Sequence, residues 1–126
     1  MPLVRISLRR GKPPQYIAAI RNSIYRAMIE AFNVPQNDRF ILVHQHDADE
    51  FDYDANYLDI PRTDDLVIIQ ITCNNTRTVE QKKVFYARVA ELLSTEPGLR
   101  PQDVFISLLE TTKENWSFGN GIASYA

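Results

Sequence analysis

The second residue of the chain, Pro2, is the first that could carry out chemistry. It follows Met1, and a small second residue is the condition under which an initiator methionine is normally removed. Removal would leave a free secondary amine. An α-amino group has a pKa of about 7.7–8.0, and burial lowers the pKa of a cationic acid further, so this amine could exchange protons at neutral pH. A proline that only begins a strand is the alternative interpretation.

A second candidate is Arg77, which the sequence pattern places between a strand and a helix. A guanidinium can bind a carboxylate through two parallel hydrogen bonds. Because a cation is disfavoured at a helix N-terminus, an arginine at this position suggests a bound anion. The alternative is an arginine that is only solvated at the start of the helix.

Other reactive side chains are not expected to form a site. His44 and His46 have the spacing of metal ligands on one side of a strand, but the chain has only these two histidines, so no metal site is predicted. Cys73 is expected to be a buried strand residue, with a nucleophile as the minor alternative. The segment 47–65 holds eight of the sixteen acidic residues but lacks the glycine and glutamate of an EF-hand, so a solvated connection with a short hairpin at 53–60 is expected.

The elements that would hold the candidate residues follow the order strand, helix, strand, and then repeat it. Pro13 and Pro14 suit a helix start, since proline lacks the donor that a first turn leaves unused. Apolar residues then recur at spacings of three and four, as on one face of a helix. Thr78 and Gln81 have the spacing of a capping box at the start of the second helix. The strands are predicted at 3–8, 40–43, 66–72 and 104–109.

The two halves of the chain, about 2–46 and 66–109, also match in sequence. The matching segments are 3–4 with 66–67, and 38–40 with 103–105. Tandem βαβ units predict a single α/β (α+β) domain over 1–126, with a four-stranded sheet and both helices on one face. The other face of the sheet would stay exposed although its strands look apolar on both sides, so assembly into a small ring is predicted.

Composition excludes several classes of protein. The 14 basic and 16 acidic residues leave a net charge of −2, which argues against nucleic acid as a partner because phosphate binding needs a basic face. No apolar run approaches the ~20 residues of a membrane span, and no signal peptide is evident. A single cysteine fits a reducing compartment. A cytoplasmic protein that binds neither nucleic acid nor membrane is expected.

Several motifs, taken in order along the chain, resemble the tautomerase superfamily, and within it the malonate semialdehyde decarboxylase group. The resemblance covers the chain from Pro2 to about Gly121. It implies a homotrimer whose active sites surround an N-terminal proline and need no cofactor. The motifs are Met-Pro-Leu at the start, Asp38-Arg39, His44-Gln45-His46, Glu80-Gln81-Lys82, and Asn115-Trp116-Ser117-Phe118-Gly119-Asn120-Gly121.

The resemblance also implies roles for individual residues. Asp38 would be the acidic partner that orients the N-terminal proline or a water molecule, and Arg77 would bind the substrate carboxylate. Many relatives in the decarboxylase group carry two arginines at this junction, whereas this chain has Asn75 at one of the positions. Asn75 can donate a hydrogen bond but adds no charge. Trp116 and Phe118 resemble the hydrophobic wall that keeps the site dry.

Without the resemblance, the same residues have simpler interpretations. Asp38 could be a turn aspartate paired with its neighbour Arg39, and Trp116 and Phe118 could be two core aromatics. A ferredoxin-like binding module, without catalysis, would show much the same order of elements.

The two charges that the resemblance places near the proline predict opposite chemistries. Arg77 favours the neutral amine, which is the base that a keto–enol tautomerase needs, whereas Asp38 favours the protonated amine, which is the acid that a decarboxylase needs. One arginine and one aspartate favour the acid. We therefore expect decarboxylation of a small oxo acid such as malonate semialdehyde, with tautomerisation of phenylpyruvate-like substrates as the alternative.

Overall fold

Two strand–helix–strand units follow one another along the chain, as the sequence predicts. The computed structural model describes residues 2–125. Strands β2, β3 and β4 end two or three residues later than expected, because their final residues are mostly polar and a hydrophobic pattern misses them. The elements are β1 (Leu3–Arg9), α1 (Pro14–Phe32), β2 (Phe40–His46), β3 (Val67–Asn74), α2 (Val79–Thr95) and β4 (Val104–Thr111).

The four strands form one mixed sheet in the order β2-β1-β3-β4. Within each unit the two strands are parallel, and β1 and β3 join the units in antiparallel pairing. Leu3 pairs with Phe40 on one side and with Thr72 on the other. The starts of β1 and β2 therefore meet the ends of β3 and β4 at one edge of the sheet, which brings together segments that are distant in sequence.

The helix ends follow the local signals in the sequence. Pro13 is the N-cap of α1, and Asn33 ends this helix in the left-handed conformation with φ of 54°. At the start of α2, the Thr78 hydroxyl accepts from the Gln81 backbone N–H at 3.2 Å and the Gln81 side chain accepts from the Thr78 N–H at 3.0 Å. The predicted capping box is confirmed. Neither helix, within the described part of the chain, has the length and apolar character needed to cross a bilayer.

Both helices pack on one face of the sheet. Ile6 and Ile69 from the central strands, Ile24 from α1 and Phe85 from α2 belong to the same buried cluster. The opposite face is uncovered, and it is apolar only in part. Its side chains near the starts of β1 and β2 and near the starts of β3 and β4 are apolar, whereas the middle row is mostly polar. The apolar residues of this face are Leu3, Phe40 and Leu42 on β1 and β2, Ile68 and Phe105 near the starts of β3 and β4, and Leu109 near the end of β4; its polar residues include Arg5, Ser7, His44, Gln70, Thr72 and Ser107.

The hairpin expected at 53–60 is wrong. This segment contains no strand and instead forms a tight turn at Tyr57–Asp59, in which Leu58 and Asp59 have positive φ angles of 59° and 57°. Arg62 explains the difference, because its Nη1 donates to the carbonyl oxygens of Asp54, Tyr57 and Ile60 at 3.0–3.4 Å. In a hairpin these carbonyls would accept hydrogen bonds from the opposite strand, whereas here they accept them from the guanidinium of Arg62.

Candidate active site

A cavity of about 340 Å³ opens at the edge of the sheet where β1 and β2 begin. Three of the side chains predicted for the site, Pro2, Trp116 and Phe118, share this cavity. Asp38, Asn75 and Arg77 are not among its lining residues. The cavity is lined by Pro2, Leu3, Phe40, Asn115, Trp116, Ser117 and Phe118.

Pro2 is a buried residue directly before β1. Because Leu3 pairs with both Phe40 and Thr72, Pro2 stands between the start of β2 and the end of β3. The predicted removal of Met1 concerns a residue outside the described ones. Chemistry at Pro2 depends on that removal, since a Met1–Pro2 amide nitrogen carries no basic lone pair, whereas a terminal amine does.

Two stacked rings form one wall of the cavity. The ring centroids of Trp116 and Phe118 are 5.3 Å apart with an angle of 14° between the planes, and Tyr125 meets Phe118 edge-on at 5.2 Å. The indole Nε1 of Trp116 donates to Oδ1 of Asn74 at 2.8 Å. Trp116 is half-buried and Phe118 is 39% exposed, so these rings lie outside the core of the sheet and helices.

Asp38 lies in the turn before β2 and is 7% exposed. Its backbone N–H donates to the carbonyl of Pro35 at 3.2 Å, which closes the turn. The neighbouring Arg39 contacts α1: its Nη2 donates to Oδ1 of Asn22 at 2.7 Å and its guanidinium lies 4.6 Å from the centre of the Tyr25 ring. The Asp38 carboxylate therefore lies just before β2, which runs parallel to β1.

Arg77 lies at the junction between β3 and α2, where the sequence predicts it. Its Nη2 donates to the carbonyl of Phe32 at 3.2 Å, and its guanidinium lies 5.0 Å from the centre of the Phe32 ring. Phe32 is the last residue of α1, and the final carbonyls of a helix lack intrahelical partners and attract cations. The C-terminus of α1 therefore holds this arginine, a contact that the sequence analysis did not anticipate.

Asn75 is exposed, and its backbone N–H donates to the carbonyl of Thr111 at 3.0 Å. Cys73, in β3, is buried as predicted. Burial raises the pKa of the Cys73 thiol, and since the thiolate is the nucleophile, this environment disfavours reactivity. Close by, Nζ of Lys82 pairs with Oε1 of Glu110 at 2.7 Å, and this hydrogen bond raises the pKa of Lys82.

The two histidines make separate contacts on β2. Nε2 of His44 lies 3.2 Å from Nη1 of Arg5, and the His46 ring packs at 5.8 Å from the ring of Phe51. Across residues 2–125, no group of three or more histidine, cysteine or acidic side chains has the arrangement of a metal site.

The sequence analysis missed four of the cavity residues. Leu3 and Phe40 were taken only as strand residues, although their alternation with buried neighbours places them on the uncovered face. Asn115 and Ser117 belong to the motif that carried the resemblance, but no role was assigned to them. Strand alternation could have identified the first two, whereas the last two depend on how the chain turns after β4.

Comparisons with known proteins identify the family of this chain. A family model described as a tautomerase enzyme matches residues 38–119, and a second with the same description matches residues 2–53. The chain belongs to the tautomerase family. It is 43% identical over 123 residues to the probable tautomerase YusQ of Bacillus subtilis, covering 98% of this chain and 97% of the relative. The probable tautomerase YrdN of the same organism is 34% identical over 125 residues, covering 99% of this chain and 96% of the relative.

Solved structures give a closer comparison of the fold. A malonate semialdehyde decarboxylase, described with decarboxylase and hydratase activities, superposes with a TM-score of 0.91 at 32% identity, covering 98% of this chain and 95% of that one. A fused 4-OT described as a symmetric trimer has a TM-score of 0.78 at 17% identity, covering 95% of this chain and 94% of that one. At that identity the second comparison shows the shared fold alone.

Proposed function

We propose that this protein is a cofactor-free enzyme that uses Pro2, freed by removal of Met1, to act on a small oxo acid, with decarboxylation of malonate semialdehyde as the reaction. One observation carries the proposal: Pro2 is buried and lines a cavity whose wall is the stacked pair Trp116 and Phe118. A malonate semialdehyde decarboxylase with a TM-score of 0.91 supports the choice of reaction.

In the proposed reaction, protonated Pro2 donates a hydrogen bond to the aldehyde oxygen of the substrate. The bond between the carboxylate carbon and the adjacent carbon breaks, carbon dioxide leaves, and the electron pair becomes an enolate stabilised by the proline cation. The enolate carbon then takes a proton from water, which gives acetaldehyde. Asp38 favours the protonated form of the proline.

Arg77 would bind the substrate carboxylate in this proposal. A guanidinium has five N–H donors, and the hydrogen bond to the Phe32 carbonyl uses Nη2. The remaining donors are available to an anion, and the contact with α1 fixes the direction in which they point. Asn75, which is exposed beside this arginine, would add a neutral donor.

The test is release of carbon dioxide from malonate semialdehyde by protein whose mass shows that it lacks Met1. Pro2→Ala and Arg77→Ala should abolish or strongly reduce release, whereas Arg21→Ala, at an exposed position on α1, should not. Treatment with 3-bromopropiolate, which inhibits a related malonate semialdehyde decarboxylase, should add one adduct at Pro2. No release by the wild type would refute the decarboxylase assignment.

A second candidate function is keto–enol tautomerisation of phenylpyruvate-like substrates, with neutral Pro2 as the base. The apolar side chains in the cavity, Leu3, Phe40, Trp116 and Phe118, favour it because they would accommodate an aromatic ring. The pH profile separates the two reactions: the rate falls above the pKa of Pro2 if the amine acts as an acid and falls below that pKa if it acts as a base.

The proposal includes a homotrimer located in the cytoplasm. The uncovered sheet face, with Phe40, Leu42 and Leu109 exposed, supports self-association, since exposed apolar patches of this kind mark interfaces. The buried free thiol of Cys73 fits a reducing compartment. Light scattering after size exclusion should give three times the chain mass.

A non-catalytic binding module is the remaining alternative. Such a module would keep its ligand binding when Pro2 is replaced by Ala.

A further inference from the structure

Asn74, the last residue of β3, lies behind the aromatic wall of the cavity. Its side chain is 7% exposed, and its Oδ1 accepts the 2.8 Å hydrogen bond from the indole of Trp116. We propose that Asn74 is a positioning residue, which holds Trp116 in the orientation that shapes the cavity around Pro2. Its importance for catalysis rests on the proposed function.

The segment after β4 is attached to the sheet at two adjacent points. Asn74 and Thr111 are paired in register at the end of the β3–β4 ladder. Trp116 donates to Asn74, and the side-chain Nδ2 of Asn115 donates to Oγ1 of Thr111. Two consecutive residues of the segment are therefore bound by two facing strand residues, which fixes both the path of the backbone and the direction of the indole.

The chemistry of the indole makes the acceptor at position 74 important. An indole has one N–H donor and no acceptor, so Trp116 can be satisfied here only by an acceptor such as Oδ1. Loss of the acceptor leaves a half-buried donor without its partner, which is unfavourable. Because Trp116 lies parallel to Phe118, rotation of the indole would also break the stacked wall and misalign a bound substrate.

Three variants isolate this contact. Asn74→Leu removes the acceptor with a similar side-chain size, Asn74→Asp keeps an acceptor oxygen in the same place, and Gln102→Leu is a matched control at an exposed site on a separate 3₁₀ helix. Trp116 is the only tryptophan of the chain, so fluorescence reports on it directly. Acrylamide quenching measured without substrate should be stronger in Asn74→Leu and close to wild type in the other two.

Activity gives the second readout, with malonate semialdehyde and phenylpyruvate as substrates. Asn74→Leu should lower kcat about tenfold with a smaller effect on KM, since loss of a buried hydrogen bond corresponds to roughly a decade. Asn74→Asp should keep most of the wild-type kcat when each protein is assayed at its own pH optimum. In a Trp116→Phe protein, which lacks the donor, Asn74→Leu should add little further loss, because the two changes remove the same contact.

These measurements can overturn the inference separately from the proposed function. Unchanged quenching in Asn74→Leu, or full additivity of Asn74→Leu and Trp116→Phe, would refute the positioning role. If the wild type converts neither substrate, the proposed function fails. In that case stronger quenching in Asn74→Leu still supports the assignment of Asn74, and unchanged quenching refutes it.

Discussion

Replacement of Arg77 by alanine should reduce stability as well as activity. The guanidinium makes two contacts with one residue, a hydrogen bond to the carbonyl of Phe32 at 3.2 Å and a cation–π contact 5.0 Å from the centre of its ring. Because Phe32 ends α1 and is 3% exposed, Arg77 connects the junction before α2 to the C-terminus of the other helix. Arg77→Ala removes both contacts.

The size of the effect follows from these two contacts. A partly desolvated cation–π contact contributes about 1 kcal/mol, and a charged donor on the final carbonyl of a helix contributes about as much. The unfolding entropy of a 126-residue domain is roughly 0.26 kcal/mol/K, at about 2.1 cal/mol/K per residue. A loss of about 2 kcal/mol therefore lowers Tm by roughly 8 °C.

Thermal unfolding followed by circular dichroism, at equal protein concentrations, measures this shift. Arg21→Ala serves as the control, since Arg21 is exposed on α1 and such surface changes stay within about 0.5 kcal/mol, or roughly 2 °C. Arg77→Lys keeps the charge but loses the planar fork, so its Tm should lie between those of the wild type and Arg77→Ala. An Arg77→Ala protein that melts within about 2 °C of the control would refute the contact with α1. Activity should be compared well below the lowest Tm, so that lost carboxylate binding is not confused with unfolding.

Three further predictions concern the rest of the chain. Hydrogen bonds from Arg88 and Arg26 lower the pKa of Glu30 to about 2. A lowered pKa stabilises the folded protein above the ordinary value of about 4.3, and that stabilisation is lost as pH falls towards 2, so the Tm difference between wild type and Glu30→Gln should shrink over this range. Burial raises the pKa of Cys73, and iodoacetamide at pH 8 should modify it in native protein far more slowly than in urea-unfolded protein; equal rates would contradict its burial. Thr78→Ala removes the N-cap of α2 and should cost about 1 kcal/mol in urea unfolding, whereas Thr78→Ser should restore most of it.

Local signals predicted the fold well because they act within a few residues. Pro14 at a helix start and the Thr78–Gln81 capping box are both decided by neighbours in sequence. The repeat of two βαβ units was predictable because apolar patterns typical of strands and of helices alternate along the chain. The hairpin at 53–60 failed because a side chain from outside that segment satisfies its carbonyls.

The site was predictable only where a motif marked it. Pro2 was singled out by the chemistry of an N-terminal amine and Trp116 through the resemblance, and they do share one cavity. The contact between Arg77 and Phe32 joins residues 45 positions apart, and that between Asn74 and Trp116 joins residues 42 apart. No spacing rule reaches so far, since these contacts depend on the sheet order that brings strand ends and helix ends together.

The contact between Arg77 and α1 also bears on whether Pro2 acts as an acid or a base. The sequence analysis weighed a free arginine against Asp38, but part of the arginine's field is compensated by the Phe32 carbonyl, and carbonyls at a helix C-terminus carry partial negative charge. Asp38 is 7% exposed and precedes β2, whose start pairs with that of β1, so water screens its charge little. Binding of a substrate carboxylate to Arg77 would compensate the arginine further. Under the proposed function, this balance would favour protonated Pro2 in the bound state, which is the form that decarboxylation requires.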